Sequence, residues 1–434
     1  MDNKVNISKE KYYNTQSELF HSLIVDKHKK LPLEIATLFF WFSLYTYPSI
    51  FSPYLKELKI STSVIGIILG SYGLSQIIFR IPIGIMSDKL RDRKSFIITG
   101  MIFSVISAFG LLLFKQPALI FISRMLAGVA ASSWVVFSVL YSSYFNQNDS
   151  SKAISRIFIF QSTGTMAAMF FGGLIAENFG WEMSFVTGGG AALVALVFSI
   201  FIRDDSKIKA NDITNDIPVD NNKVKAGDML IDDSKTLKSP ITIKQLAAVI
   251  TDPTLIAVSL LAILLQFNNT ATVVGFTPIY AESIGATKLQ LGILTFFSQL
   301  PVILASIIGS KGVYTKIGET KTICIAFFLM SIFSGIIPLI KTIEMLYLTQ
   351  FLAGFFRGII TPVLMGLGIK NIDTSKRATA MGAFQAIYAI GMVSGPTVFG
   401  AITQASQIWV GFLVAGIVAL VASIIASITL KGEY

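Results

Sequence analysis

Three arginines lie inside long apolar stretches of this 434-residue sequence, and their chemistry is the most informative in it. Arg80, Arg124 and Arg357 have no acid beside them, because all 25 aspartates and glutamates fall in the leader, in links or near the ends of the stretches. His21 and His28 both precede the first stretch. A guanidinium held away from water needs an anion, and a carboxylate or phosphate fits its planar fork. The pattern favours an anionic solute; helix dipoles, backbone carbonyls and lipid phosphates are the alternative partners.

The sequence lacks the residue patterns typical of catalytic and metal sites. We find no HExxH, no CxxC and no GxxxxGK followed by serine or threonine, and the single cysteine, Cys324, cannot form an internal disulfide. Without histidine or acid inside the stretches, general acid–base catalysis lacks its usual groups. We therefore predict that the protein is not an enzyme and has no catalytic residues, cofactor or metal.

The composition places these side chains in a membrane. Apolar residues make up 53% and charged residues 14% of the sequence, whereas soluble chains hold about 25% charged residues. Twelve apolar runs, called spans 1 to 12, are each long enough to cross roughly 30 Å of hydrocarbon as a helix. They lie at residues 33–55, 63–87, 95–114, 117–144, 153–178, 182–202, 254–280, 287–310, 320–340, 343–369, 377–403 and 407–430. The predicted fold is an all-α membrane protein with twelve transmembrane helices.

The basic residues predict the orientation of these spans. Most of the 35 lysines and arginines lie in the leader, the central linker and the links on one side. The other side has only Lys56, Lys59, Lys115, Lys288 and Lys341. By the positive-inside rule both termini are cytoplasmic, and we expect a multi-pass protein of the plasma membrane. The formal charge of +10 is spread over these links rather than clustered on one face, so no nucleic-acid partner is predicted.

The two halves of the sequence resemble each other, as expected of an internal repeat. Three short motifs recur in chain order at nearly one offset. The pairs are Leu126-Ala127-Gly128 with Leu352-Ala353-Gly354, Ser151-Lys152 and Phe160-Gln161 with Ser375-Lys376 and Phe384-Gln385, and Phe51-Ser52-Pro53 with Phe276-Thr277-Pro278. The predicted domains are a cytoplasmic leader (1–32), a six-helix bundle (33–202), a solvated cytoplasmic linker (203–250) and a second six-helix bundle (251–434).

Polar side chains skip every third span. Arginine, glutamine, asparagine, tryptophan and tyrosine are absent from spans 3, 6 and 9, and in span 12 they occur only as Gln407 and Trp409 in its first turn. These four spans are therefore predicted to face lipid, while the other eight surround a polar chamber. Interhelical hydrogen bonding explains any single glutamine, but it does not explain the skipped spans. The residues predicted to bind substrate are Arg80, Arg357, Trp41, Tyr45, Gln76, Trp134, Gln161, Gln266, Asn269, Gln299, Gln385 and Tyr388.

The stretch from Gly84 to Lys94 carries a family resemblance. Gly84, Asp88, Lys89, Arg93 and Lys94 resemble the signature loop that follows the second helix in the major facilitator superfamily, and the likeness in span number and halves covers essentially the whole chain. The resemblance implies two pseudo-symmetric six-helix bundles and alternating access.

The likeness to this family has departures. Arg91 stands where the family prefers glycine and Asp92 where it prefers a basic residue, while the second-half loop has Thr315 in the aspartate position. Arg124 and Gly128 match the arginine-to-glycine motif of the fourth helix, but the Gly-Pro of the antiporter motif on helix five is missing. The implied gating residues are Gly84, Asp88, Lys89, Arg93, Lys94, Arg124 and Gly128. For Arg124 a structural role is the alternative.

A role for Asp88 is also predicted from helix electrostatics alone, without the family resemblance. Span 11 begins after Asp373, Thr374 and Ser375, which are good N-cap types, so its positive end is expected at the cytoplasmic face. Asp88 ends span 2 at the same face and is predicted to latch the halves together there. The alternative is that Asp88 lies at a helix end in water.

The predicted function is secondary transport of a small organic solute by alternating access, with an organic anion favoured and Trp41, Tyr45 and Trp134 as stacking contacts. A lipophilic drug efflux pump of the same fold is the alternative, and a non-transporting membrane sensor or receptor is an alternative of another class. The expected partners are the solute, the lipid bilayer, and a coupling ion (proton or sodium) or an exchanged solute.

Overall fold

The computed structural model describes residues 30–145, 150–204, 252–310, 318–370 and 377–430. These residues form twelve helical segments in the predicted order and no strands, which confirms the all-α fold. The segments are span 1 (residues 30–45 and Pro48–Glu57), span 2 (Thr62–Leu90), span 3 (Arg93–Leu113), span 4 (Pro117–Ser132 and Trp134–Ser142), span 5 (Ser150–Phe179), span 6 (Trp181–Ile200), span 7 (Pro253–Asn269, Thr270–Phe276 and Thr277–Ser283), span 8 (Lys288–Ser310), span 9 (Glu319–Gly335 and Ile337–Leu339), span 10 (Ile343–Lys370), span 11 (Arg377–Ala405) and span 12 (Ile408–Thr429). The predicted leader up to residue 29 and most of the predicted linker lie outside the described residues.

Spans 1, 4 and 7 are interrupted along their length, and span 9 ends in a short 3₁₀ turn, Ile337–Leu339. Span 1 bends at Thr46 and Tyr47, directly before Pro48 starts its second helix, because a proline has no N–H to continue the helical hydrogen bonds and is well suited to the first turn of a helix. Span 4 breaks at Ser133. Span 7 widens into a π-helix just before Pro278, whose missing N–H releases one helix carbonyl. Within the described ranges eleven helices are long and apolar enough to cross a membrane by length and composition, and the bend in span 1 explains the twelfth.

Spans 3, 6, 9 and 12 form the periphery, as predicted. Span 3 packs on spans 4 and 6, and span 9 packs on spans 10 and 12, all within the same half. Their other faces expose large apolar side chains such as Ile106 on span 3 and Ile417 on span 12. Hydrocarbon solvates such a surface and water does not, so these faces are suited to lipid.

Two glycines reveal the internal repeat in the packing. A Cβ added to Gly128 in span 4 would overlap the carbonyl oxygen of Tyr72 in span 2, and a Cβ added to Gly354 in span 10 would overlap the carbonyl oxygen of Ser298 in span 8. The same sequence interval separates Tyr72 from Ser298 and Gly128 from Gly354. Only glycine lets two backbones approach so closely. The recurring Leu-Ala-Gly motif therefore marks equivalent helix contacts in the two halves.

The two halves, spans 1–6 and spans 7–12, join mainly at one face of the bundle. We call the face that holds residues 30 and 430 the inner face and the opposite one the outer face. Near the outer face a single apolar cluster contains side chains of both halves, including Phe51, Ile65 and Phe399. Towards the inner face the two halves have separate buried clusters, around Phe137 in the first half and Phe327 in the second, and Met392 of span 11 is the second-half side chain packed against the first of them. The protein is therefore closed at its outer face.

Candidate substrate-binding site

One face of span 2 carries both the outer contact with span 11 and, further towards the inner face, the candidate site residue Arg80. Gly66 packs so closely on span 11 that a Cβ would overlap the carbonyl oxygen of Pro396, and a Cβ on Gly73 would lie 2.8 Å from Cβ of Met392. Arg80 is seven residues beyond Gly73, as Gly73 is beyond Gly66, so all three lie on nearly one face of the helix. Arg80 thus lies two turns towards the inner face from the last of these glycine contacts, on the side of span 2 that turns to the second half.

Arg80 is buried with only part of its hydrogen-bonding capacity used. Its side chain is 5% exposed, and Nη2 donates to Oε1 of Gln76 at 2.7 Å. Gln76 in turn donates to the carbonyl oxygen of Tyr72 at 3.4 Å. Nε and Nη1 of Arg80 are buried and have no acceptor. Buried N–H groups of a charged side chain without acceptors are costly, and an anion is the partner that satisfies them best.

The three predicted aromatic residues come together in the first half. The rings of Trp41 and Trp134 meet edge to face with centroids 5.3 Å apart, and Tyr45 lies 5.6 Å from Trp41. Phe158 of span 5 meets the other side of Trp134 at 5.5 Å. The indole Nε1 of Trp41 is buried and has no acceptor. Tryptophan N–H groups usually find a partner when buried, so this donor is a second unused group at the site.

Arg124 connects spans 1, 2 and 4. Its Nη1 donates to the hydroxyl of Tyr47 at 2.7 Å, and its guanidinium lies 4.5 Å from the ring centroid of Tyr72. These contacts, together with the close packing of Gly128, hold one polar face of the first half in place. The gating role of Arg124 and Gly128 stays a prediction.

Arg357 is held by neutral groups of the second half. Its side chain is 7% exposed, Nη1 donates to Oδ1 of Asn269 at 2.8 Å, and Nη2 donates to the carbonyl oxygen of Ser298 at 2.7 Å. Asn269 donates to Oε1 of Gln266 at 3.2 Å. The predicted residues Gln266, Asn269 and Arg357 therefore form one hydrogen-bonded group that links spans 7, 8 and 10.

The remaining predicted binding residues are partly buried. Tyr388 of span 11 packs edge to face on Phe384 at 5.7 Å. Gln161 of span 5 has a buried Oε1 without a donor. For Gln299 and Gln385 the structure gives an intermediate exposure on spans 8 and 11 and no named partner.

The predicted signature loop is bonded to its own half. The backbone N–H groups of Arg93 and Lys94 donate to Oδ2 of Asp204 at 2.6 and 3.0 Å, and Nζ of Lys94 donates to the carbonyl oxygen of Ile200. Asp92, which departs from the family pattern, caps span 3 by accepting from the N–H of Ser95 at 3.2 Å. The loop thereby ties the ends of spans 2, 3 and 6 together.

For the other predicted gating residues, Gly84, Asp88 and Lys89, the gating role stays a prediction. Lys89 is exposed, and a Cβ on Gly84 would make only ordinary contact with Val135, so no close helix approach requires that glycine. The side chain of Asp88 and residues 371–376 lie outside the described part of the chain, so the inner latch between spans 2 and 11 stays a prediction.

Glu34 is a buried carboxylate that the sequence interpretation placed at a span end. It is 2% exposed, its Oε1 lies 2.7 Å from Nε of Arg156, and it accepts a hydrogen bond from the hydroxyl of Tyr141. The described part of span 1 is helical from residue 30 onward, so Glu34 lies in the first part of the span, near the inner face. Sequence reasoning gave this carboxylate no role, although an acid that directly follows the first apolar residues of a span was a usable signal.

Comparison with known proteins identifies the family. The Major Facilitator Superfamily profile matches residues 33–280 and 258–434, so the chain belongs to this family of membrane transporters. An uncharacterised MFS-type transporter of Methanocaldococcus jannaschii is 23% identical over 355 residues, covering 80% of this chain and 84% of the relative. The nucleoside transporter NupG has the same fold, with a TM-score of 0.71 at 16% identity, over 93% of this chain and 99% of that one.

Two further relatives match over about a third of their length. An uncharacterised MFS-type transporter of Schizosaccharomyces pombe is 32% identical over 143 residues, covering 32% of this chain and 31% of the relative. The quinolone resistance protein NorA of Staphylococcus aureus is 26% identical over 145 residues, covering 33% of this chain and 37% of NorA. The family and fold are those of transporters rather than enzymes.

Proposed function

We propose that the protein is a secondary carrier that moves an organic anion across the plasma membrane by alternating access. The observation that carries the proposal is Arg80, a buried guanidinium with two N–H groups that lack an acceptor. Its helix face is the one that closes against the second half. A carboxylate or phosphate that reaches Arg80 satisfies both groups and neutralises its charge.

The transport cycle follows from the closed outer face. The shared apolar cluster seals the outer end of spans 1, 2, 7 and 11, so the solute reaches Arg80 from the inner face, which the basic links assign to the cytoplasm. Rocking of the halves then parts the glycine contact between spans 2 and 11 and brings the inner ends together. A coupling ion (proton or sodium) or an exchanged solute completes the cycle. Coupling requires that a carrier with only one of its two partners bound does not change between the outward-open and inward-open conformations.

The proposal is tested with purified protein in two steps. Thermal-shift screening over a pH series compares organic anions, zwitterions and lipophilic cations, because a ligand of the folded state raises its stability by mass action. Counterflow of a labelled hit in proteoliposomes then measures transport. We expect anions to raise the unfolding temperature of the wild type and not of Arg80→Gln, with counterflow by the wild type alone. Anions that leave the wild type unchanged would overturn the proposal.

A lipophilic drug efflux pump is the second candidate. The aromatic group of Trp41, Tyr45 and Trp134 favours it, since such rings contact apolar and cationic compounds. The relation to NorA over a third of the chain points the same way. Stabilisation by lipophilic cations that survives Arg80→Gln would support this candidate. Ligand stabilisation without any counterflow would support a sensor instead.

A further inference from the structure

We infer that the solute is an anion with a flat apolar body that also carries a hydrogen-bond donor, such as a ring N–H or a hydroxyl. Its charge binds Arg80, its donor binds Gln161, and its flat body lies along Trp41 and Trp134. This inference rests on the proposed function and assigns the substrate class of the same site.

Arg80, Trp41 and Gln161 are among the first-half residues that have a buried polar atom without a partner, and the unused groups of these three are of complementary kinds. Nε of Arg124 and the hydroxyls of Ser49, Ser52 and Ser107 are further atoms of this kind. Arg80 of span 2 and Trp41 of span 1 have donors without an acceptor, and Gln161 of span 5 has an amide oxygen without a donor. Each of these atoms is sealed from solvent by the surrounding protein. Native proteins contain few buried polar groups without partners, so each such group calls for an explanation, and a bound ligand is the one we infer here. The two donor side chains and one acceptor side chain lie on three different spans. A ligand that satisfies all three must have acceptor atoms for Arg80 and Trp41 and a donor for Gln161.

The helix contacts place Gln161 beside the tryptophan pair. Gly164, three residues beyond Gln161, packs on the backbone carbonyl of Leu38 in span 1, and Phe158, three residues before it, packs on the ring of Trp134 in span 4. Residues three apart lie on the same side of a helix. Gln161 therefore lies on the stripe of span 5 that faces spans 1 and 4, between these two contacts.

Arg80 lies at the same depth as Trp134. Spans 2 and 4 run in the same direction, and Gly128 of span 4 packs at the level of Tyr72 in span 2. Arg80 is eight residues beyond Tyr72, and Trp134 is six residues beyond Gly128. At a rise of about 1.5 Å per residue their depths differ by about 3 Å. The guanidinium of Arg80, the tryptophan pair and the amide of Gln161 thus lie at similar depth in the first half.

Arg357 is the contrasting case. Both terminal nitrogens of its guanidinium already donate to Asn269 and Ser298 within the second half. A guanidinium satisfied in this way gains less from a ligand than one with unused donors, because binding would first break existing bonds. The structure thus assigns the charge of the solute to Arg80 and makes Arg357 a positioning residue for spans 7, 8 and 10.

Three matched probes separate charge recognition from donor recognition. Indole-3-carboxylate has both the charge and a ring N–H, benzofuran-3-carboxylate keeps the charge but replaces the N–H with oxygen, and indole-3-carboxamide keeps the N–H but loses the charge. Dissociation constants from calorimetry are measured for the wild type, Arg80→Gln, Gln161→Leu and Trp41→Phe. Asn178→Ala is the control, since this exposed residue of span 5 only donates to the carbonyl of Leu174 in its own helix.

The expected result is a different loss of selectivity in each variant. The wild type and Asn178→Ala should bind indole-3-carboxylate about 10- to 100-fold more tightly than either other probe. Gln161→Leu should lose the preference over benzofuran-3-carboxylate and keep the preference over the carboxamide, while Arg80→Gln should lose tight binding of both carboxylates and with it the preference over the carboxamide. Trp41→Phe should weaken both carboxylates. Gln161→Met repeats the measurement if the leucine variant does not fold.

Two outcomes overturn the inference, and they differ from failure of the proposed function. If the wild type does not distinguish the indole from the benzofuran, or if Gln161→Leu still does, Gln161 does not read a donor. In both cases loss of carboxylate binding in Arg80→Gln would leave the organic anion carrier standing. If neutral or cationic ligands stabilise the protein while no carboxylate does, both proposals fall together.

Discussion

Glu177 at the end of span 5 caps the helix that begins at Lys288 in the other half. Its Oε2 accepts hydrogen bonds from the backbone N–H of Lys288 at 2.8 Å and of Leu289 at 3.3 Å. The ammonium of Lys288 reaches back and lies 4.2 Å from the ring centroid of Trp181 in the first half. A carboxylate at this position satisfies two free amides and the positive end of the helix. The outer face is thus fastened across the halves by a polar contact as well as by apolar packing.

Glu177→Ala should open the outer face more often. Loss of a capping side chain costs about 0.5–2 kcal/mol, which is about a 2- to 30-fold change in the ratio of closed to open molecules. The measurement is labelling of a cysteine in place of Leu69, a buried member of the shared outer cluster, by a membrane-impermeant maleimide in a Cys324→Ser background. We expect faster labelling in Glu177→Ala.

The adjacent residue offers the control for this variant. Asn178→Ala removes an exposed polar side chain from the same helix end without touching span 8. Its labelling rate should equal that of the parent. Equal labelling of Glu177→Ala and Asn178→Ala would show that the cap does not hold the outer face.

Gly66→Ala should destabilise the closed outer face. The added methyl group would overlap the carbonyl oxygen of Pro396, so spans 2 and 11 must separate there. Overpacking of this kind costs about 1–3 kcal/mol. We expect a lower unfolding temperature, faster outside labelling at position 69 and slower transport. Gly190→Ala in span 6 is the control, because nothing lies within 4 Å of its added Cβ, and a similar loss in that variant would remove the argument from close packing.

The number of spans and the lipid-facing periphery were predictable from the sequence. Apolar length determines where a helix can cross, and the cost of polar groups in lipid excludes Arg80 or Gln266 from the outside of the bundle. These signals are local to each span, so a single sequence contains them. The bend before Pro48 also has a local cause, although the apolar run passes through it without a break.

The partners of the polar side chains were not predictable. Arg80 and Arg357 look alike in sequence, yet one has unused donors and the other bonds to Asn269, which is 88 positions away. The distinction depends on helix packing that no local pattern encodes. The partners of Glu34 were not predictable either, because Tyr141 lies 107 positions away in the sequence.

The pair of Glu34 and Arg156 should respond unequally to substitution. Arg156→Ala leaves a buried carboxylate without its cation, whereas Glu34→Gln keeps an acceptor for Tyr141 and leaves Arg156 half exposed to water. Removing one partner is costly when the other stays charged and buried, although solvent screening reduces the cost here because Arg156 is half exposed. We expect Arg156→Ala to lower the unfolding temperature more than Glu34→Gln. The opposite order would mean that Glu34 is not held as a buried anion.

Arg357→Gln should abolish or strongly weaken transport while folded protein remains in the membrane. The substitution removes the bonds from span 10 to Asn269 and Ser298, so spans 7 and 8 lose a shared polar anchor during rocking. As a positioning residue, Arg357 should affect the counterflow rate more than ligand affinity, whereas Arg80→Gln should affect affinity first. Arg357→Lys, which keeps the charge but has one donor group instead of a fork, should restore only part of the rate. Wild-type transport by Arg357→Gln would exclude the residue from the transport cycle, and a loss of affinity as large as that of Arg80→Gln would place the bound charge between both arginines.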